Sequence, residues 1–368
     1  MIVELKDVCN KGTSNIRQKD IVSKPGDYPI YGASGLAGNV NFYQQEKESV
    51  AVVKDGAGIG RVMLLPAKAS IIGTMQYLIP KENILPEYLY YAVRNMHLEK
   101  YYSGATIPHI YFKDYQKEKI NLVSLKQQRE IVTLFNSIEN AINKKKNELS
   151  KLDALIKARF VEMFGDPIIN NKHLTEVSMT QICQIIDGDR GKNYPHAKDF
   201  ESEGYCLFLN AKNVTKNGFN FENCSYISKE RDELLRKGRV ERGDIVLTTR
   251  GTIGNLALYT NDIPYERLRI NSGMVILRMD HTKVLDRFFI EQFKMQLEKI
   301  KLKVASGSAQ PQLPVSTMNK IKIVLPSTKA QNEFASFVQQ VDKSKVVIQK
   351  SLDETQTLFD SLMQKYFS

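Results

Sequence analysis

The chain has 368 residues, of which 42% are hydrophobic and 25% charged, as in a globular protein large enough for two domains. It lacks an apolar run of membrane-spanning length and a signal-peptide pattern, so we expect a cytoplasmic protein without contact to a membrane. The four cysteines form no CxxC pair and the five histidines are scattered, so no metal site or disulfide framework is predicted. No cofactor is expected either. The net charge of +11 favours a polyanionic partner such as nucleic acid, although a generic basic protein would carry the same charge.

The first half of the chain contains short runs of β-type residues followed by helical patterns. Strands are predicted at 49–55, 61–66 and 75–80, and a helix at 86–102. The glycine-rich segment GAGIG at 56–60 lies between two of these strands. A phosphate-binding loop would have to open a helix, so we predict a hairpin turn whose glycines have positive φ.

Residues 127–163 form a long polar–apolar pattern without proline. Apolar residues recur every seven positions in two series, and this 3.5-residue period is typical of a coiled-coil seam. Lys145 interrupts the seam, and a polar residue at such a position can fix the register at a cost in stability. The predicted seam residues of this helix are Ile131, Phe135, Ile138, Ile142, Leu149, Leu152 and Ile156.

The second half of the chain repeats the first. Residues 243–254 correspond to 49–60 at a constant offset of 194, and residues 306–313 correspond to 103–110 at an offset of 203. The shared order and spacing indicate an internal duplication. A second long helical pattern follows at 330–366, interrupted by Lys345. Its predicted seam residues are Phe334, Val338, Val341, Ile348, Leu352 and Phe359.

Each long helix has one narrow apolar stripe and therefore needs a partner. The best-matched partner is the other copy, so we predict an antiparallel coiled coil about 54 Å long. The alternative is that each helix lies only against its own domain. The predicted fold class is α+β, with two tandem β-rich domains at 1–126 and 167–328. The long helices are predicted to follow these domains at 127–166 and 329–368.

Motifs for catalysis are absent from the sequence. It contains no Walker-type phosphate loop, no Asn/Asp-Pro-Pro-aromatic segment of amino-methyltransferases and no Pro-Asp…Glu-x-Lys arrangement of nucleases. No serine or cysteine is paired with a histidine in a supporting context. We therefore predict a non-catalytic protein that binds another molecule.

Two separated domains could contact one side of a DNA duplex at two places. Arginine can bond guanine bidentately, and asparagine or glutamine can bond adenine. For each single residue the alternative is an ordinary solvated surface position. Candidates in the first half are Lys54, Arg61 and Lys68. Candidates in the second half are Arg190, Lys192, Asn210, Lys212, Asn213, Arg250, Asn255, Arg267, Arg269, Gln310 and Gln312.

Several segments resemble a known family, the specificity subunits of Type I restriction–modification systems. They are VELKDVC at 3–9, VSMTQIC at 177–183, the turns DGAGIGR and TRGTIGN, and ARFVEMFGDP at 158–167. The resemblance covers essentially the whole chain. It implies that each globular half is a target recognition domain that reads one half of a split sequence in double-stranded DNA. It also implies that the loops at 104–113 and 307–314 lie near the DNA, with Thr106, His109, Tyr111 and Lys113 as candidates.

The resemblance further implies partners for the helices. They would set the distance between the two half-sites and dock two methyltransferase subunits, and nuclease/translocase subunits would complete the restriction complex. Two alternatives stay open from the sequence: a specificity protein of a modification-only system, and a two-domain scaffold that does not bind DNA.

Overall fold

The structure, a computed structural model, describes residues 1–22, 25–104, 108–305 and 312–368. The chain divides into two units, and each unit includes parts of both long helices. Unit 1 consists of Met1–Asn147 and Ile348–Ser368, and unit 2 of Glu148–Val347. Each unit therefore contains one globular part and a portion of both long helices. Among the described helices, none is long and apolar enough to cross a membrane.

The first globular part is α+β. β2, β8, β5 and β6 form an antiparallel sheet in that order, β3 pairs with β4 and in parallel with β7, and β1 pairs with β9. The elements, up to the first long helix, are β1 (Ile2–Glu4), α1 (Leu5–Val8), β2 (Cys9–Thr13), α2 (Gln18–Val22), β3 (Pro25–Gly32), β4 (Gly35–Val40), β5 (Ser49–Val53), β6 (Val62–Leu65), β7 (Ser70–Ile71), β8 (Met75–Pro80), α3 (Pro86–Asn95), α4 (Phe112–Tyr115), β9 (Lys119–Asn121) and α5 (Leu125–Phe164).

The second globular part is also α+β and ends in the second long helix. Its elements are β10 (Glu176–Ser178), β11 (Cys183–Asp187), β12 (Cys206–Leu209), β13 (Val214–Thr215), β14 (Gly218–Phe219), β15 (Tyr226–Ile227), α6 (Lys229–Leu234), β16 (Arg239–Val240), β17 (Ile245–Thr248), β18 (Leu256–Leu258), β19 (Leu268–Ile270), β20 (Met274–Met279), α7 (Asp286–Ala305), α8 (Val315–Met318), β21 (Lys322–Val324) and α9 (Thr328–Phe367).

The strand pairing of the first globular part recurs in the second. The sheet β11-β20-β17-β18 has the order of β2-β8-β5-β6, and the pair β10-β21 corresponds to β1-β9. The parallel pair β12-β19 corresponds to the parallel pair β3-β7. The internal duplication predicted from the sequence is therefore confirmed in the topology.

The glycine-rich segment between β5 and β6 forms the predicted hairpin turn. The N–H of Gly60 donates to the carbonyl of Val53 at 2.9 Å, and the N–H of Val53 donates to the carbonyl of Arg61 at 2.9 Å. Gly56, Gly58 and Gly60 all have positive φ, a conformation that glycine adopts without steric cost. The turn leads into a strand, so it is not a phosphate-binding loop at a helix N-terminus.

The corresponding turn in the second half is one residue shorter than the sequence comparison suggested. Ala51 lies opposite Met63 in the first sheet, and Val246 lies opposite Ala257 in the second. The residue numbers of equivalent positions in the two repeats thus differ by 195 in the strand before the turn and by 194 in the strand after it. The predicted constant offset of 194 is wrong for the strand that precedes the turn, because a one-residue difference inside a loop does not disturb the strands on either side.

In unit 1 the two long helices run antiparallel. The ring of Phe135 in α5 lies 5.3 Å from Phe359 and 5.6 Å from Phe367 in α9, between ring centroids. Further along α5, the Nζ of Lys145 donates to the carbonyl oxygen of Ser351 at 2.9 Å. As α5 advances, its contacts move back along α9, which defines the antiparallel direction.

Unit 2 contains the complementary portions of the helices. The rings of Phe160 and Phe164 in α5 lie 5.4 and 5.7 Å from Phe334 in α9. The Nζ of Lys345 bonds Oδ1 of Asp153 at 2.6 Å. The direction is again antiparallel, so the predicted coiled coil is confirmed and the alternative, that each helix lies only against its own domain, is wrong.

The thirteen proposed seam residues differ in burial along the helices. Leu149, Leu152 and Ile348 are half-buried, as are the interrupting Lys145 and Lys345. The seam side chains are therefore most buried near the globular parts. The buried residues are Ile131, Phe135, Ile138, Ile142, Ile156, Phe334, Val338, Val341, Leu352 and Phe359.

A buried glutamine fastens the first long helix to its globular part. The Oε1 of Gln128 accepts the N–H of Leu85 at 2.8 Å, at the start of α3. Its Nε2 donates to the carbonyls of Asn83 and Val123, both at 2.9 Å. One amide therefore satisfies three backbone groups on two segments, which sets the position of α3 relative to α5.

The second repeat has the same glutamine. The Oε1 of Gln331 accepts the N–H of Leu285 at 3.0 Å, and its Nε2 donates to the carbonyls of Lys283 at 3.1 Å and Pro326 at 3.0 Å. Gln331 is buried, as Gln128 is. Because the duplicated sequence keeps the amide and its three backbone partners, this attachment is a common part of both repeats.

Unit 2 also contains a buried ion pair. The Nε of Arg269 donates to Oδ1 of Asp232 at 2.6 Å, and Arg239 bonds the other carboxylate oxygen. The Arg269 guanidinium also donates to the carbonyls of Lys237 and Asp232, at 2.7 and 2.8 Å. Burial alone would raise the pKa of the Asp232 carboxyl, but the bonds and charges of Arg269 and Arg239 lower it below its ordinary value.

Replacing Gln331 by alanine should lower the free energy of unfolding by about 2–4 kcal/mol, because a buried N–H and two carbonyls lose their partner. Gln339→Ala, on the exposed face of the same helix, is the matched control and should change stability little. Urea denaturation followed by circular dichroism measures both. Equal midpoints for the two variants would contradict the attachment role.

The Asp232 pair predicts a loss of stability in acid. Since the folded pKa lies below the unfolded value, the stabilisation is present above about pH 4 and is lost as pH falls through the folded pKa. Asp232→Asn should cost about 3–5 kcal/mol at neutral pH, because it leaves a buried guanidinium without its counter-charge, and should lose less on acidification. Denaturation at pH 7 and at about pH 2.5 tests this, with the exposed Glu233→Gln as control. Identical pH profiles for Asp232→Asn and the unmodified chain would refute it.

Candidate nucleic-acid interface

In unit 1 the structure brings four of the candidate residues together beside the glycine turn. The N–H of Ile110 donates to the carbonyl of Lys54 at 2.9 Å, which joins the loop after residue 108 to the end of β5. The ring of His109 stacks on Tyr111 with centroids 6.2 Å apart, and Nζ of Lys113 lies 5.4 Å from the Tyr111 ring centroid. Tyr111 and Lys113 are exposed.

Asp55, which sequence reasoning missed, lies at the centre of this cluster. It faces His109 in an isolated antiparallel bridge, and its Oδ1 is 2.7 Å from Nδ1 of that histidine. Its Oδ2 is 3.7 Å from Nζ of Lys54. Because a carboxylate only accepts hydrogen bonds, Nδ1 of His109 carries the proton in this pair. The position of Asp55 immediately before GAGIG was the one signal in the sequence.

The other first-half candidates lie apart from this cluster. Nη1 of Arg61 donates to the carbonyl of Ala33 at 2.8 Å, in the turn between β3 and β4, and the side chain borders an open groove there. Nζ of Lys68 lies 5.9 Å from the ring centroid of Tyr43. Thr106 lies outside the described residues. Arg61 thus connects the glycine turn to a neighbouring hairpin.

In unit 2 the structure gathers three candidates at the equivalent turn. Arg250 lies opposite Gln312 in an isolated antiparallel bridge, and both are exposed. The backbone N–H of Arg250 donates to the carbonyl of Gly273 at 3.2 Å. Nη2 of Arg190 donates to the neighbouring carbonyl of Ser272 at 3.2 Å. Arg190 and Arg250 therefore flank the same short turn, and Gln310 lies outside the described residues.

Arg236 extends this basic surface and was missed in the sequence. Its side chain is 74% exposed and lies 3.6 Å from Oδ1 of Asp189. The Asp189 carboxylate also accepts the N–H groups of Gly191 at 2.6 Å and Arg236 at 2.8 Å. Burial alone would raise the pKa of Asp189, but these bonds lower it, so the carboxylate stays charged and holds the turn that carries the exposed Lys192. The run RKGR at 236–239 could have indicated Arg236.

Two of the asparagine candidates support a loop rather than face solvent. Asn213 is buried, and its Nδ2 donates to the carbonyls of Asn220 and Asn223, both at 3.0 Å. Nδ2 of Asn255 donates to the carbonyl of Val214 at 2.9 Å. The loop that these bonds stabilise contains the exposed Lys212, whose backbone N–H donates to Oδ1 of Asn210 at 2.9 Å.

The expectation for Arg269 is corrected by its burial. The residue is 2% exposed and its guanidinium bonds Asp232 and two backbone carbonyls, so it is not available to a ligand. Arg267, two residues earlier on the same strand edge, is exposed and lies 4.5 Å from the ring centroid of Tyr205. Exposed cations and amides beside the glycine turns can contact phosphates and base edges, whereas a buried arginine supports the fold.

Comparison with known proteins gives consistent matches. The chain matches the family described as Type I restriction modification DNA specificity domain over residues 1–151 and 171–355. It is 23% identical over 319 residues to the type I restriction enzyme MjaVIII specificity subunit of Methanocaldococcus jannaschii, which covers 80% of this chain and 72% of the relative. It is 21% identical over 326 residues to the MjaIX specificity subunit of the same organism, covering 84% and 74%.

Two solved structures have the same fold. The crystal structure of a Type-I restriction-modification system S subunit from M. genitalium covers 100% of this chain and 96% of its own, with a TM-score of 0.58 and 16% identity. A structure solved for the assembly and conformational transition of a type I R-M system covers 100% and 97%, with a TM-score of 0.53 and 16% identity. With the family match extending over most of the sequence, the chain belongs to the family of Type I restriction–modification DNA specificity subunits.

Proposed function

We propose that unit 1 and unit 2 each read one half of a split sequence in double-stranded DNA and that the chain itself is not catalytic. The observation that carries the proposal is the repeated pair of side chains beside each glycine turn. Asp55 lies opposite His109 in unit 1, and Arg250 lies opposite Gln312 in unit 2. The positions are the same in the fold, but the chemistry differs, as two different half-sites require.

The charge distribution supports a DNA partner. Arg190, Arg236 and Arg250 extend from turns on one part of unit 2, and Lys113 is exposed near the loop of unit 1. Such cations can contact phosphates and position the readers, while hydrogen bonds to base edges supply specificity. The net charge of +11 adds a general attraction to DNA that salt would weaken.

The long helices are proposed to dock two methyltransferase subunits. Leu155 of α5 and Leu358 of α9 occupy equivalent positions of the two repeats, and both are about half exposed although they lie on paired helices. A repeated apolar side chain outside the seam suits two copies of one partner. Nuclease/translocase subunits would complete a restriction complex.

The test of the proposal is a methylation map of DNA modified by the chain assembled with its methyltransferase subunits. We expect one motif made of two different half-sites separated by a gap of fixed length. The assembly without this chain is the control and should leave that motif unmethylated. A continuous motif, or no motif that depends on the chain, would contradict the proposal.

A second prediction concerns the gap. One heptad inserted after Asn147 of α5 and another after Lys350 of α9 keep the seam in phase, because the helices pair antiparallel there. The insertion adds about 10 Å of helix, so the tolerated gap should grow by about 3 base pairs while both half-sites stay the same. Methylation mapping measures both quantities. A four-residue insertion in α5 alone rotates its apolar stripe away from α9 and serves as the control for lost pairing. An altered half-site in the heptad variant would refute the spacer role.

A further inference from the structure

We infer that the residue directly before the first turn glycine determines specificity in each unit: Arg250 reads a guanine in the second half-site, and Asp55 reads the amino group of a cytosine in the first. The inference rests on the proposed function and makes it specific. It assigns these two positions, among the many polar residues near each turn, as the readers of the half-sites.

These two residues occupy the same place in the two units. Asp55 and Arg250 follow equivalent strands, β5 and β17, and are equivalent at the offset of 195 that the strand pairing defines. Each lies in an isolated antiparallel bridge to the next loop, opposite His109 or Gln312. Directly opposed residues of an antiparallel pair project to the same side, so each reader has a neighbour that can contact the adjacent base.

A glycine follows each proposed reader directly. Gly56 and Gly251 follow Asp55 and Arg250, and both have positive φ. Among the described residues, a Cβ built on either glycine would meet no atom within 4 Å, so the space beside Asp55 and Arg250 is open. Because glycine has no side chain, another backbone or a base edge can approach closely beside Asp55 and Arg250.

Side-chain bonding distinguishes Arg250 from the positioning residues on the far side of the turn. Arg61 and Asn255 are equivalent on the far side of the turn, and both donate to a backbone carbonyl of a neighbouring segment, Ala33 or Val214. They hold the turn in place. Within the described parts of the chain, by contrast, the exposed Arg250 guanidinium has no hydrogen-bond or ion-pair partner and is available to a ligand.

The chemistry of the two side chains then assigns the bases. A guanidinium presents parallel N–H donors that match O6 and N7 of guanine in the major groove, and this is the commonest specific contact of arginine. A carboxylate only accepts, so Asp55 matches the N4 amino group of cytosine. Although His109 and Lys54 approach Asp55, its two oxygens have further lone pairs for a base.

The experiment uses the chain assembled with its methyltransferase subunits and a DNA library randomised at both half-sites. For Arg250→Ala we expect about tenfold or greater loss of discrimination at one guanine of the second half-site, with the first half-site unchanged. Asp55→Asn should relax one cytosine of the first half-site only. Lys229→Ala removes one exposed positive charge from the same unit and is the matched control, with both half-sites retained.

Two outcomes would overturn the inference. One is an unchanged half-site in Arg250→Ala. The other is uniform weakening over all sequences with a smaller salt dependence, by about one in slope, which marks a phosphate contact. Arg250→Lys keeps the charge and should relax the same position without changing the salt slope, which guards against a folding defect in the alanine variant. Failure of the proposed function is distinct, because then the wild-type assembly itself would select no split motif.

Discussion

The structure depends on the burial of one apolar stripe along each long helix. A 40-residue amphipathic helix extends beyond the surface that its own globular part offers, and each large side chain left in water would cost about 1.5–3 kcal/mol. In unit 1 the stripe of α5 is covered by the end of α9, with Phe135 against Phe359 and Phe367. In unit 2 the stripe of α9 is covered by the end of α5, with Phe160 and Phe164 around one phenylalanine. Each unit is therefore completed by a segment far away in the sequence.

Within each unit, buried hydrogen bonds attach the globular part to the long helix that follows it. The buried amides of Gln128 and Gln331 each bond three backbone groups, and the strand order of the main sheet is the same in both units. The units differ in their second sheet, which has three strands in unit 1 and four in unit 2, in the β13-β14 hairpin of unit 2, and in the side chains next to the glycine turns. On the proposal that Asp55 and Arg250 read bases, a substitution at either position changes the target while the shared sheet and the helices stay the same.

The polar groups of unit 2 show how burial decides the role of a residue type. Arg269 and Asp232 neutralise each other inside the fold, and Asn213 satisfies the backbone of a long loop. Arg250 and Arg236 stay exposed at its surface. A buried cation must be paired because its desolvation is costly, whereas an exposed one can exchange water for phosphate or a base. Arginine thus serves in unit 2 either as structural support or as an exposed contact.

Sequence alone determined the duplication, the two long helices, their antiparallel pairing and the hairpin at GAGIG. The helices and the hairpin follow from the 3.5-residue period and the turn chemistry of glycine, which act over a few neighbouring residues. The duplication and the antiparallel pairing follow from comparison of the two halves of the chain. Only the tertiary structure decided that Arg269 is buried while Arg250 is exposed, that the second turn is one residue shorter, and that Asp55 meets His109 across more than fifty residues of chain. The physical reason is that burial and cross-strand contact depend on which distant segments pack together, and charge or spacing in the sequence carries no record of that packing.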